Sequence, residues 1–98
     1  MSVAALQEQM NDGSELVVID VRSPGEVEQG VIPGALTISL PELLGALADL
    51  DPHRPTVVYC ASGYRSAIAA SLLRAHGFDD VSDVTGGWSA WAASPRVR

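Results

Sequence analysis

Two short runs rich in β-branched residues constrain the fold of this chain more than any other feature. The first, residues 16–21, reads LVVIDV, and the second, residues 56–59, reads TVVY. Neither run shows the regular apolar–polar alternation of a half-exposed strand, so both predict strands that are buried on two faces. Such strands belong to parallel sheets whose faces are covered by helices.

Helix and turn signals alternate with these strands along the rest of the chain. The sequence predicts helices over residues 3–10, 40–49 and 66–76 and in a short segment after Gly86-Gly87, and shorter strands over 36–38 and 81–84. Ser39 and Glu42 have the spacing of a capping box at the start of the second helix. The expected fold class is α/β, with one domain, a central parallel sheet and helices on both faces. In such sheets, ligands bind beyond the carboxyl ends of the strands.

Length and charge limit the class of protein. The chain has 98 residues, the size of one domain, and we assign residues 1–98 to that domain, with a motif-bearing core at about 13–95. The net charge is −6 and the chain contains no Lys, so it lacks the basic patch of a nucleic-acid-binding protein. The acidic residues Asp79, Asp80 and Asp83 are interpreted as a solvated edge.

Membrane and secretion signals are absent from the sequence pattern. No apolar run reaches the roughly 18 residues that a membrane span needs. The first ten residues lack the positively charged region of a secretory signal. These features predict a cytoplasmic protein with no nucleic-acid or membrane partner, although a leader removed from a longer precursor would leave no trace here.

The single cysteine, Cys60, is the main candidate for chemistry. One cysteine excludes an internal disulfide and a structural zinc site built from several cysteines. A lone cysteine is most often a small buried apolar residue, but Cys60 follows a buried strand and precedes a helix that begins near Ser66. Unpaired N–H groups at a helix start stabilise an anion and favour the thiolate. This placement predicts that Cys60 is a nucleophile.

The loop after Cys60 is predicted to bind the substrate. It consists of Ala61, Ser62, Gly63, Tyr64 and Arg65. Gly63 permits the curvature that brings several backbone N–H groups to one point. Arg65 adds a fixed positive charge and a forked donor. Tyr64 either shapes access to the site or is simply exposed.

Three residues outside the loop are candidates for a supporting role: Asp20, Arg22 and Ser66. Asp20 ends a buried strand, where a carboxylate is costly unless it is paired. A structural pair with Arg22, or bonds to loop N–H groups, is therefore favoured over a direct role at the site. Arg22 either points into the site or holds Glu26, and the sequence leaves both open.

Four motifs in chain order resemble those of the rhodanese family. The family's C-x-x-G-x-R-S loop is matched by residues 60–66, its D-V-R by Asp20-Val21-Arg22 followed by Glu26, its G-H-I-P-G-A turn by residues 30–35, and its Gly-Gly-aromatic element by Gly86-Gly87-Trp88. The resemblance runs from about Ser14 to Ala93. Val31 stands where the family usually has His, and Val27 stands where an aromatic residue is common; both departures concern local packing more than chemistry.

The resemblance implies a single-domain rhodanese-like sulfurtransferase. The Cys60 thiolate would take a sulfane sulfur from a donor such as thiosulfate, and the resulting persulfide would pass it to cyanide, a small thiol or a protein thiol. The resemblance implies no cofactor and no metal. Arg65 is the only cation in the loop, so we expect capture of a dianion such as thiosulfate to be weak.

Two other functions stay open on the sequence. Cysteine-dependent phosphatases and arsenate reductases also place a thiolate before a helix, but the common phosphatase signature is C-x5-R, whereas four residues separate Cys60 from Arg65. The second alternative is a sulfur-relay or sensor module that serves one protein partner. An intact Cys60 loop argues against a catalytically silent domain but does not exclude such a relay.

Overall fold

The computed structural model describes residues 1–95 of the chain. Within these residues one sheet is formed by four strands, which are β1 (Val17–Asp20), β2 (Leu36–Thr37), β3 (Thr56–Tyr59) and β4 (Val81–Asp83). Their order across the sheet is β2-β1-β3-β4, and every neighbouring pair is parallel. The predicted parallel α/β fold is confirmed, and the two β-branched runs are its two central strands.

Helices cover both faces of the sheet. On one face lie α1 (Val3–Asn11) and α5 (Gly87–Ala93), and on the other lie α3 (Leu43–Ala46) and α4 (Tyr64–Ala75). Alternate residues of β3 enter the two cores, because successive side chains of a strand point to opposite faces. Tyr59 packs with the α1 and α5 side, whereas Cys60 packs with the α4 side.

The segment between β2 and β3 is less regular than predicted. Residues 40–49 form a 3₁₀ turn (Leu40–Glu42), the short helix α3 and a second 3₁₀ turn (Leu47–Asp49) instead of one helix. The Ser39 hydroxyl contacts the Glu42 carboxylate at 2.6 Å and does not cap a backbone N–H group. Gly45, with its low helix propensity, lies inside the segment and weakens a continuous α-helix.

A short helix, α2 (Pro24–Val27), lies in the polar stretch after β1 and was not predicted. Four residues are too few to show a helical period in sequence. Its start is fixed by Ser23, whose N–H donates to the Glu26 carboxylate at 3.0 Å. The helix after Cys60 also begins earlier than predicted, at Tyr64 rather than Ser66.

The sheet register brings the carboxyl ends of the two central strands side by side. Asp20 on β1 pairs with Tyr59 on β3, so the segment that follows Asp20 and the segment that starts at Cys60 leave the sheet at the same edge. This is the edge at which ligands bind in parallel sheets. Within residues 1–95, no helix is both long and apolar enough to cross a bilayer.

Candidate active site

Cys60 lies directly after β3, and its sulfur is the point on which the following loop converges. Its Sγ accepts hydrogen bonds from the N–H groups of Gly63 at 3.1 Å and Ser66 at 3.3 Å. Gly63 has a φ of 126°, in a region that glycine alone adopts readily. That conformation turns the loop back so that the first turn of α4 faces the sulfur.

The hydrogen bonds to the sulfur favour its ionised form. Burial raises the pKa of the Cys60 thiol, whereas hydrogen bonds from the Ser66 hydroxyl and from the N–H groups of Ser66, Gly63 and Ser62 lower it. The hydrogen bonds together outweigh the burial, so the pKa of Cys60 lies below its ordinary value. A thiolate in this environment is a competent nucleophile.

The buried hydroxyl of Ser66 lies close to the sulfur of Cys60 and to oxygen atoms of two other residues. The Ser66 Oγ lies 3.6 Å from Cys60 Sγ, 3.1 Å from the Gly63 carbonyl oxygen and 3.4 Å from a carboxylate oxygen of Asp83. Asp83 ends β4 and is half-buried, so it does not belong to a solvated edge as the sequence had suggested. Its proximity to the site was missed because it comes from a different strand.

Arg65 forms an ion pair with Glu26. Among residues 1–95, no hydrogen bond joins Arg65 to the sulfur of Cys60. The two side chains form a bidentate pair, with Nη1–Oε1 at 2.7 Å and Nη2–Oε2 at 2.8 Å. The bonds from Arg65 and Ser23 lower the pKa of Glu26 to about 2, and the carboxylate raises the pKa of Arg65. The loop's guanidinium is therefore already paired with an anion.

Asp20 and Arg22 form a buried ion pair at the carboxyl end of β1. Arg22 Nε lies 3.0 Å from both Asp20 carboxylate oxygens, and its Nη2 lies 2.7 Å from one of them and 2.7 Å from the Gly30 carbonyl oxygen. The guanidinium also stacks on the Trp88 ring, 4.8 Å from its centroid. The sequence left open whether Arg22 points into the site or holds Glu26. In the structure its main partner is Asp20, and it reaches Glu26 only at the backbone oxygen, at 3.4 Å.

The start of α5 supports the backbone of the cysteine loop, a role that the sequence reasoning missed. The N–H of Trp88 donates to the Cys60 carbonyl at 2.7 Å, and the N–H of Ser89 donates to the Ala61 carbonyl at 3.1 Å. A β-carbon on Gly87 would collide with the same carbonyl oxygen of Cys60. The Gly86-Gly87 pair was the sequence signal for this contact, since adjacent glycines mark close backbone approach.

The remaining loop residues lie at the surface. Ser62 and Tyr64 are exposed, the latter by 79%, while Ala61 and Gly63 are half-buried. Tyr64 therefore stands beside the mouth of the loop without packing into the core.

A cleft of about 340 Å³ opens beside Arg65. Its walls are mainly apolar and include Val21, Pro24, Leu40 and Pro41. Val21 belongs to the same buried cluster as Cys60, and Leu40 packs against that cluster. The cleft thus adjoins the core that holds the cysteine and provides space for a small molecule.

Comparison with known proteins identifies relatives across nearly the whole chain. A family model for the rhodanese-like domain matches residues 2–94. A sulfurtransferase of Allochromatium vinosum is 33% identical over 88 residues, which are 90% of this chain and 82% of that protein. The thiosulfate sulfurtransferase GlpE of Shewanella oneidensis is 36% identical over 83 residues, which are 85% of this chain and 82% of that protein.

A solved structure agrees with the sequence relatives. The crystal structure of a rhodanese-related protein from Thermoplasma volcanium has a TM-score of 0.88 and 31% identity, and the match covers 99% of this chain and 93% of that one. The similarity therefore spans all four strands and the cysteine loop, and is not confined to one motif.

Proposed function

The chain belongs to the rhodanese-like domain family, and on that premise we propose that it is a sulfurtransferase in which Cys60 carries the transferred sulfur. The observation that supports this most strongly is the convergence of the N–H groups of Gly63 and Ser66 on Cys60 Sγ, at 3.1 Å and 3.3 Å. The same donors that favour a thiolate would favour a persulfide anion at that place.

The reaction consists of two displacements at sulfur. In the first, the Cys60 thiolate attacks the sulfane sulfur of the donor, an S–S bond forms, and the bond between that sulfur and the rest of the donor breaks. With thiosulfate, sulfite leaves with the bonding electron pair and the enzyme becomes a persulfide anion. In the second, the acceptor attacks the outer sulfur and the Cys60 thiolate leaves; with cyanide the product is thiocyanate. Charge and atoms balance in each half, and ping-pong kinetics are expected.

The contacts of the other residues support the following proposed roles. Ala61, Ser62, Gly63, Tyr64 and Arg65 form the substrate-binding loop. The N–H of Ser66 donates to the sulfur, and its hydroxyl, 3.6 Å away, would donate to it once Cys60 is ionised. Asp20 and Arg22 act as a structural support for the sheet edge rather than as reacting groups.

Intact-mass measurement tests the proposal directly, because the 98-residue chain has one cysteine. Incubation with a sulfane-sulfur donor should add one sulfur atom, and cyanide should then remove it and release thiocyanate. Cys60→Ser, treated in the same way, should gain no sulfur. A wild-type protein that folds and gains no sulfur from any sulfane donor would overturn the proposal.

The same measurement separates an enzyme from a relay module that serves one protein partner. Both would gain sulfur, but only an enzyme for small acceptors would release thiocyanate over many turnovers. The donor and acceptor are proposed as small molecules, with a protein thiol as a further acceptor. The cytoplasmic location and the assignment of residues 1–98 to one domain stay predictions.

A further inference from the structure

The guanidinium of Arg65 is occupied on both of its terminal nitrogens. Each nitrogen donates to a different oxygen of Glu26. Glu26 is itself fixed, because the N–H and the hydroxyl of Ser23 lie at 3.0 Å and 2.9 Å from its Oε1. The two side chains are each about one-third exposed, so the pair faces solvent beside the cysteine loop. The charges of Arg65 and Glu26 cancel, and the pair has no net charge.

No other arginine among residues 1–95 compensates for this neutralisation, and the N-terminal ammonium is bonded to the Asp83 carbonyl oxygen at 2.6 Å. Arg22 is buried against Asp20. Arg54 and Arg74 hold backbone carbonyls, those of Glu15 and Val81, and the chain contains no Lys. An anion that approaches Cys60 therefore meets a paired guanidinium, backbone N–H groups and, near Ser66, the carboxylate of Asp83.

We infer that Glu26 sets the donor preference of the site, by pairing with Arg65 so that sulfane donors with one negative charge, such as organic thiosulfonates, are favoured over dianions such as thiosulfate. This inference rests on the proposed sulfurtransferase function. It makes Glu26 a specificity-determining residue that acts through Arg65 and does not touch the reacting sulfur.

Methanethiosulfonate and thiosulfate form a matched pair of probes, because a methyl group in one replaces an oxyanion in the other. The chemistry at sulfur is the same: the Cys60 thiolate attacks the sulfane sulfur, the S–S bond to the oxidised sulfur breaks, and methanesulfinate or sulfite leaves with the electron pair. Cys60 becomes the same persulfide anion in both cases. The charge of the donor and of its leaving group differs by one unit, and a reference thiol corrects for the difference in intrinsic reactivity between the two donors.

The wild-type protein alone gives the first test. We measure the second-order rate constant for gain of one sulfur at Cys60 with each donor, and divide it by the rate constant of the same donor with free mercaptoethanol at equal thiolate concentration. The normalised rate with methanethiosulfonate should exceed that with thiosulfate by about threefold or more, the size of one screened unit-charge interaction across several ångströms of water. A normalised preference for thiosulfate would overturn the inference.

Glu26→Gln gives the second test. The variant keeps the size of the side chain and an oxygen for Ser23, but it leaves a net positive charge on Arg65. A dianion gains twice the Coulomb energy that a monoanion gains from that charge. If loading by methanethiosulfonate rises about threefold, loading by thiosulfate should therefore rise about tenfold, and the difference should shrink as salt is added.

Glu28→Gln is the matched control, since Glu28 is an exposed carboxylate two positions further along the chain. It removes the same charge without releasing Arg65, and the donor ratio should stay at the wild-type value. An equal change for both donors in folded Glu26→Gln, or an equal shift of the ratio in Glu28→Gln, would overturn the role of the pair. Loading of wild type by neither donor would instead refute the sulfurtransferase function itself, so the two failures are distinguishable.

Discussion

Gly87 packs against the backbone carbonyl oxygen of Cys60 so closely that no other residue fits at its position. A β-carbon on Gly87 would overlap that oxygen and would also lie 3.0 Å from the carbonyl carbon of Ala61. The close approach lets the N–H of Trp88 reach the same oxygen. The start of α5 thus fixes the carbonyl group of Cys60, while N–H groups of the cysteine loop and of α4 bind its sulfur.

Gly87→Ala should therefore destabilise the protein by about 2 kcal/mol or more, because the backbone of the cysteine loop must shift to relieve the overlap. It should also slow sulfur loading of the protein that remains folded. Gly45→Ala is the control: Gly45 lies in α3 with nothing within 4 Å of its missing β-carbon, so this change should be neutral or mildly stabilising. Urea unfolding checks both; equal stability of the two variants would contradict the packing argument.

Cys60→Ser should abolish sulfur transfer and leave the fold intact. A hydroxyl cannot form a persulfide, and Ser is close to Cys in size at this buried position. Thiocyanate production from donor and cyanide, with circular dichroism as the check on folding, measures the outcome. Retention of even a tenth of wild-type turnover, which corresponds to a loss of only about 1.4 kcal/mol in transition-state stabilisation, would end the assignment of Cys60 as the sulfur carrier.

Ser66→Ala should raise the pKa of Cys60, because it removes the hydroxyl that favours the thiolate. Loss of a donor to the anion favours the neutral thiol, so iodoacetamide alkylation at mildly acidic pH should slow. Arg65→Ala should shift the alkylation midpoint less, since Arg65 is bonded to Glu26 and not to the sulfur. A wild-type midpoint at the free-cysteine value of about 8.5 would contradict the activated thiolate.

The sequence predicted the local part of the site and missed the part that comes from distant segments. The Cys60 loop could be interpreted because strand, nucleophile, glycine and helix follow one another within a few residues. The partner of Glu26 could not be predicted. Arg22, only four residues away, was the nearer candidate in sequence, whereas the actual partner, Arg65, lies 39 residues away. Which arginine reaches Glu26 is decided by the parallel pairing of β1 with β3, which brings the two loops to one edge.

The fold shows the same division between strong and weak local signals. The two central strands were predicted because continuous β-branched runs have few alternatives. The short helix α2 and the broken segment around α3 were not predicted correctly, because helices of four residues are stabilised by their caps and neighbours rather than by a periodic apolar face. Ser23 and Glu26 already held the capping-box spacing, which was the one signal available for α2.

The Glu26–Arg65 pair should make stability depend on pH in the acid range. The pKa of Glu26 is about 2 in the folded protein, against an ordinary value of 4.5, so the pair stabilises the fold above pH 4.5 and loses this contribution as the pH falls towards 2. Because the pair is one-third exposed, we expect Glu26→Gln to cost only about 1 kcal/mol at neutral pH.

Urea unfolding at several pH values measures this linkage. The stability difference between wild type and Glu26→Gln should shrink steadily between pH 4.5 and pH 2. A difference that stays constant over this range would mean that Glu26 stabilises the protein through packing rather than through its charge.

The length of the cysteine loop should exclude phosphate-ester chemistry. Only four residues separate Cys60 from Arg65, and the N–H groups of Gly63 and Ser66 already point at one sulfur atom. A tetrahedral phosphoryl group has three oxygens that need donors, and two N–H groups of Arg65 are already bonded to Glu26. Wild type should therefore show no useful hydrolysis of p-nitrophenyl phosphate.

Insertion of one glycine between Gly63 and Arg65 should widen the loop, draw N–H groups away from the sulfur and slow sulfur loading. Faster turnover of the phosphate ester than of every sulfane donor by wild type would instead favour the phosphatase reading.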